Sequence, residues 1–417
     1  MPFRLFLVLW TCLALGGAPR RAAAAPVAVA FCIEYELDFT DEDSGDSLVA
    51  DTMPAKGAEV RFHRSSDGVL LTSGYLDWDG STPGCDVFAL NDAVTYDVKV
   101  ARRALVNGNR LEVRDNPTNN QLFVTTVRTN YVPVHATQVN ESVGPTASVR
   151  ILAAASWAMA GSNGGVALNP LNSFNFFATS GCGNTSCESW PETGIFIKTD
   201  HSFYKFIIVH ELGHAVTEAR VGAEDENDDG AALNGCNASG PDQYDVDGHQ
   251  MNSKEFSSQA YVEGIANLYA AAAFNTHEVD APCQFETHYR PDWDADGTDE
   301  QQNEPFIFSC ENGVSSAGVN ATDYLGQFCL AAGATTNRAT EYDVLRGMWD
   351  LISDEGVGVP TLFSIWEEAR PDTWTMNGTG TGNDFPAERM HDAAFTVGGS
   401  TLQDQWDDVA DDNGIDR

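Results

Sequence analysis

Close to residue 146 the rhythm of apolar residues changes, and that change limits the chain to folds that hold both sheet and helix. Upstream, short runs alternate apolar and polar residues: Phe31–Phe39, Ala58–His63, Val69–Leu76, Asp86–Leu90, Thr95–Ala101, Arg110–Val113 and Leu122–Val127. Gly, Asp, Asn and Pro gather between them, the pattern of half-buried strands in a sandwich. Downstream the spacing predicts helices over Ala147–Ala160, Phe203–Val221, Lys254–Asn275, Thr322–Ala332, Glu341–Ser353 and Thr361–Ala369, with a strand at Thr193–Thr199. The expected class is α+β. An N-terminal antiparallel β-sandwich occupies 31–130, a linker 131–145 (YVPVHATQVNESVGP), and a mixed, mainly helical domain 146–417.

The first residues read as an export signal. Arg4 precedes the apolar run Leu5–Leu15, and RRAAAAPVAVA offers small-residue cleavage sites, so 1–25 is expected to be removed. That run is too short to span a bilayer, and no later segment reaches about eighteen uninterrupted apolar residues. The expected location is therefore secreted, extracellular or in the cell envelope, with no membrane span. Of nine cysteines, Cys12 leaves with the signal. The remaining even set suits disulfides in an oxidising compartment. Only the short CGNTSC loop, Cys182–Cys187, suggests a particular pair, because eight cysteines allow 105 connectivities. A formal charge of −38, from 61 acids against 23 Lys and Arg, argues against nucleic acid as a partner and suits divalent cations or basic substrates.

The residues that carry chemistry lie in FYKFIIVHELGHAVTEAR. His210 and His214 are one helical turn apart, which sets both imidazoles on one face, about 40° from each other. Glu211 between them completes HExxH. In this arrangement two neutral nitrogens hold a zinc ion, and the Glu takes a proton from a zinc-activated water as general base. A third ligand is required. The positions that an extended HExxHxxGxxH motif would fill carry Val216 and Arg220 instead. Glu263, in the Ala-rich helix SSQAYVEGIANLYAAAAF, is the leading candidate, with Gly264 allowing close approach and Asn267 one turn on. His249 and Glu218 are the rivals.

HExxH followed by a glutamate helix resembles the gluzincin metallopeptidases, zincins in which a second-helix Glu completes a His/His/Glu site. The resemblance covers roughly residues 193–276. It implies zinc on His210, His214 and Glu263, and an oxyanion donor from a later helix: Tyr342 first, then Tyr324 and His391. It departs from the family in the 49-residue gap from His214 to Glu263, and in Asn267, where the family carries an Asp that orients a ligand. The N-terminal segment resembles carboxypeptidase-regulatory-like, transthyretin-type sandwich domains, with a turn matched by Gly74, Asp77 and Gly80.

Calcium is the second cofactor expected. Asp292, Asp294 and Asp296 before Gly297, and Asp225, Asn227 and Asp229 before Gly230, alternate oxygen ligands as calcium loops do. The expected function is a secreted zinc metalloendopeptidase acting on protein or peptide substrates. The alternative is an extracellular binding or adhesion protein whose zincin domain is structural or silent. Nothing in the sequence sets an oligomeric state.

Overall fold

The computed structural model describes residues 26–39, 52–80, 82–161, 172–179, 186–189, 194–221, 255–277, 283–287, 306–310, 338–339, 341–370, 386–413 and 415. Strands come first: β1 Pro26–Glu36, β2 Thr52–Pro54, β3 Ala58–Arg64, β4 Leu70–Tyr75, β5 Cys85–Asn91, β6 Tyr96–Val106, β7 Asn109–Arg114, β8 Val124–Tyr131 and β9 Thr137–Val143. After helix α1 (Ala147–Ala160) come β10 Ser173–Phe177, β11 Cys187–Ser189 and β12 Gly194–Phe196. Then follow α2 Lys205–Val221, β13 Glu255–Phe256, α3 Ser257–Phe274, β14 Gln284–Thr287, β15 Phe306–Ser309 and β16 Arg338–Ala339. Helices α4 Glu341–Ser353, α5 Val359–Ala369 and α6 Pro386–Asp412 complete the chain, which is α+β.

Two sheets face each other in the N-terminal half. One pairs β1 with β2, β5 and β9. The other runs β11-β12-β10-β7-β6-β3-β4, with β8 also on β6. Period-two alternation puts Phe31 of the first sheet against Phe62 of the second, ring centroids 5.1 Å apart, and Phe88 4.9 Å from Phe62. Gly74 makes room for Phe88, since a Cβ there would sit 2.9 Å from its ring. Cys32 is bonded to Cys85 at the β1–β5 register, and Cys283 to Cys310 at the open end of the β14–β15 hairpin. Cys187 is also disulfide-bonded. Its expected partner Cys182 lies outside the described residues.

Two expectations need correction. Residues 131–145 are not simply a linker: Thr137–Val143 forms β9, paired parallel to β1 from Val29↔Thr137 to Tyr35↔Val143. The pairing is non-local, and only Val139 and Val143 of β9 face inward, so the polar stretch gives no strand signal of its own. The sheets are also not purely antiparallel, because β10 runs parallel to β7 and to β12. One sheet thus passes through the boundary expected at residue 146.

The helical half is layered on this sheet. Thr146 caps α1 through its Oγ1 to the Val149 amide, and Gly161 ends it at φ 76°. Arg150 of α1 is 4% exposed. Its guanidinium reaches Asp38 beyond β1 at 2.7 Å and the Ser202 hydroxyl at 3.0 and 3.2 Å, and stacks 3.7 Å over Phe203. This joins β1, α1 and the single turn of 3-10 helix that leads into α2. The turn occupies His201–Phe203, so α2 opens at Lys205, two residues later than expected. Among the described residues no helix is long and apolar enough to cross a membrane.

Candidate metal centre

Helix α2 is buried from Lys205 to Glu218 because it packs between α1 and α3. A surface helix needs one apolar stripe, whereas a helix covered on several sides tolerates polar residues only where they meet partners. At the α2–α3 crossing the backbones approach unusually closely: a Cβ on Gly213 would lie 2.9 Å from Ala266 Cα and 3.0 Å from its carbonyl oxygen. Gly264 makes a similar approach on the far side of α3, where a Cβ would meet Val344 Cγ1 of α4 at 2.6 Å. The three helices form a stack, and Gly213 sets its tightest backbone step.

This closeness brings Glu263 to the two histidines. Nε2 of His210 and Nε2 of His214 are 3.2 Å apart, and Glu263 Oε2 lies 3.3 Å from each. The imidazole planes stand at 88° to each other, and their Nε2 edges converge on one spot. A tetrahedral ion with bonds of about 2.0–2.1 Å separates its ligand atoms by about 3.3–3.4 Å. The observed triangle is one face of such a tetrahedron. A single proton bridges at most two of the three atoms, whereas a cation serves all three. All three residues are buried, at 6%, 5% and 7% exposure. Among the described residues this is the one cluster of three or more His, Cys, Asp or Glu side chains whose donor atoms converge. It can hold a metal ion.

Glu211 is buried on the same helix, about 60° round the axis from His214, and flanks the triangle without belonging to it. Glu218, one turn beyond His214 on the same side, is buried and also stays outside the triangle, so Glu263 and not Glu218 completes the set. His249, Tyr324, and the acidic loops of Asp292, Asp294 and Asp296 and of Asp225, Asn227 and Asp229 lie outside the described residues. Asn267 donates from Nδ2 to Glu341 Oε2 at 3.1 Å, which links α3 to the first turn of α4.

Tyr342 is fully buried on α4, its ring 5.5 Å from the Arg346 guanidinium. Burial pushes its hydroxyl up to about 12, against the opposing pull of Arg346, so it stays protonated through neutral pH. His391 belongs to α6, where it faces Asp392 at 3.3 Å and Asp407 at 3.4 Å. The sequence reading missed Gly213 and Arg150. A lone Gly inside an otherwise helical pattern is the one local signal that could have pointed to Gly213. No protein-family model matches the chain, and a search of the curated proteins finds no match either.

Proposed function

We propose that this protein is a secreted zinc-dependent metallopeptidase, with His210, His214 and Glu263 as ligands and Glu211 as general base. The observation that carries the reading is the equilateral triangle of buried donors, with a carboxylate one residue from the first ligand. Two nitrogens and one carboxylate oxygen suit zinc, and three protein ligands leave a coordination position open for chemistry. His210, His214 and Glu263 would hold zinc there, and the ion would supply Lewis-acid polarisation of the scissile carbonyl and of a water.

The side chains do the rest. Glu211 accepts the water proton on its carboxylate and delivers it to the departing amine. Its burial keeps bulk water from competing for that proton. Tyr342, held protonated, is the candidate donor to the developing oxyanion. The disulfides support an oxidising destination for the chain.

The test is hydrolysis of an unfolded protein substrate by the parent and by Glu211→Gln, with metal content measured on both. The expected result is a loss of at least about a hundredfold in kcat/KM, with zinc retained. Full activity in Glu211→Gln would overturn the mechanism. A parent that binds zinc and cleaves nothing would turn the reading to a binding protein with a structural metal.

A further inference from the structure

The second sheet turns one face to the core and the other to solvent, and the outward face carries an ordered array of arginines. On β7, Leu111 and Val113 point inward while Arg110, Glu112 and Arg114 point outward. Arg61 and Glu59 face outward from β3, and Arg103 from β6 opposite Glu112. Two acids hold four arginines. Glu59 takes Arg61 at 2.8 and 3.0 Å and Arg103 at 3.1 Å. Glu112 takes Arg103 at 2.5 Å, Arg110 at 3.4 Å, and Arg114.

The order of depth is what matters. The Glu112 side chain is 0% exposed and that of Glu59 7%, whereas Arg110 is 50% exposed. The acids lie beneath and the cations outermost, so solvent meets net positive charge. Lys99, in register with Arg61, extends the array. Nη1 of Arg61, Nη2 of Arg103 and both terminal nitrogens of Arg110 have no partner among the described residues. These donors are fixed in place by the other nitrogens of the same guanidinium groups. Oxyanion recognition uses planar forks that lose little freedom on binding.

This patch sits on a protein of formal charge −38. The long-range field repels a densely charged polymer such as duplex nucleic acid, and favours a ligand with few anions separated by neutral groups. The neighbours on the same face suit hydroxyl-rich matter. Tyr75 is in register with Glu59, Ser73 with Arg61, Ser173 with Arg110 and Asn175 with Glu112. The array spans β3, β6 and β7, about 10 Å across the strands, on an open sheet rather than in a pit. We propose that the outward face around Arg61, Arg103, Arg110 and Arg114 binds an anionic polysaccharide through its carboxylate or sulfate groups. The face is separate from the metal centre, so the proposal stands or falls independently of the peptidase reading.

Calorimetry on the full chain tests it, with a hyaluronan decasaccharide as the carboxylate probe and a keratan sulfate decasaccharide, sparsely charged and free of carboxylate, as the sulfate probe. Sodium polyphosphate and a short DNA duplex serve as counter-probes. One oligosaccharide should bind with micromolar affinity in 50 mM NaCl and weaken about tenfold or more by 500 mM. Arg110→Gln, at a half-exposed position, should weaken binding about fivefold, and Arg61→Gln with Arg110→Gln about twentyfold. Arg128→Gln removes one charge from a separate pair with Glu141 and should change binding less than about twofold. If the double variant melts early, Arg110→Gln alone decides. The proposal fails if neither oligosaccharide binds at 50 mM NaCl, if Arg128→Gln weakens binding as much as Arg110→Gln, or if polyphosphate or duplex binds as tightly.

Discussion

Glu112 and Glu263 are the same residue type, both buried, in regions that handle buried charge differently. Glu112, in the sheet, is surrounded by permanently charged guanidinium groups, so the chain itself supplies its counterions. Glu263, in the helical stack, is placed against two imidazoles that share its approach to a single point. A buried carboxylate is costly unless it is compensated. In the sheet that compensation comes from ion pairs with side chains of the same chain and is always present. In the helical stack the three converging donors form a group that can hold a cation from outside. One region carries its own counterions, and the other has donors arranged so that an ion can complete them.

The largest expected effect breaks the helical side of this comparison. Glu263→Ala should take bound zinc after dialysis from about one equivalent to almost none. It should also remove the metal-linked part of stability, about 4 kcal/mol when free zinc exceeds Kd a thousandfold. Elemental analysis and melting with and without zinc check both, and an undiminished equivalent would place the third ligand elsewhere.

Gly213→Ala comes next. The added methyl meets backbone on α3 rather than a movable side chain, so overpacking should cost about 1–3 kcal/mol in urea and weaken zinc binding as well. Retained zinc affinity would show that the ligand triangle does not depend on this crossing.

On the sheet side, Glu112→Gln should cost about 1–3 kcal/mol at neutral pH, with no change in zinc content. Burial alone would raise the Glu112 carboxyl, but Arg103 and Arg114 outweigh it and hold it below its ordinary 4.5. A depressed folded-state value means this stabilisation is fully present above the unfolded value, and is lost as pH falls through the folded one. Denaturation curves of parent and variant should therefore converge only once pH falls through the folded-state value, which lies under 4.5, and a gap that persists below it would assign the effect to packing. The smallest effect is expected at the exposed Arg64–Asp67 pair, 2.8 Å apart with both side chains over 40% exposed. Asp67→Asn should stay within about 0.5 kcal/mol, which separates the buried ladder from ordinary surface pairing.

What the sequence made legible follows from distance along the chain. His210, Glu211 and His214 fall within five residues on one helix, and helical periodicity alone places them together. Glu263 was legible as the acid on a second apolar helix, but the crossing that delivers it was not. That crossing depends on Gly213 meeting Ala266, a contact between residues 53 apart. The apolar-rich runs set between turn residues located β3, β4, β5 and β7 closely, since each strand forms within one such run. β9 escaped notice since its reason to be a strand is β1, more than a hundred residues earlier. The Cys32–Cys85 bond was hidden for the same cause: pairing among eight cysteines is a property of the fold and not of spacing.

The sheet that continues from β7 into β10 and β12 also bears on how such a protein can be regulated. A protease nicking the chain between β9 and α1 would sever one covalent bond. It would leave the β7–β10 ladder, the Arg150–Asp38 pair and the shared core in place. The two fragments would remain clasped as a complementing pair. Stripping the N-terminal fragment away would bare the edge of β10 and the underside of α1. A prodomain meant to be discarded is joined at a seam that opens cleanly. This one is woven in, and behaves as the foundation on which the helices stand.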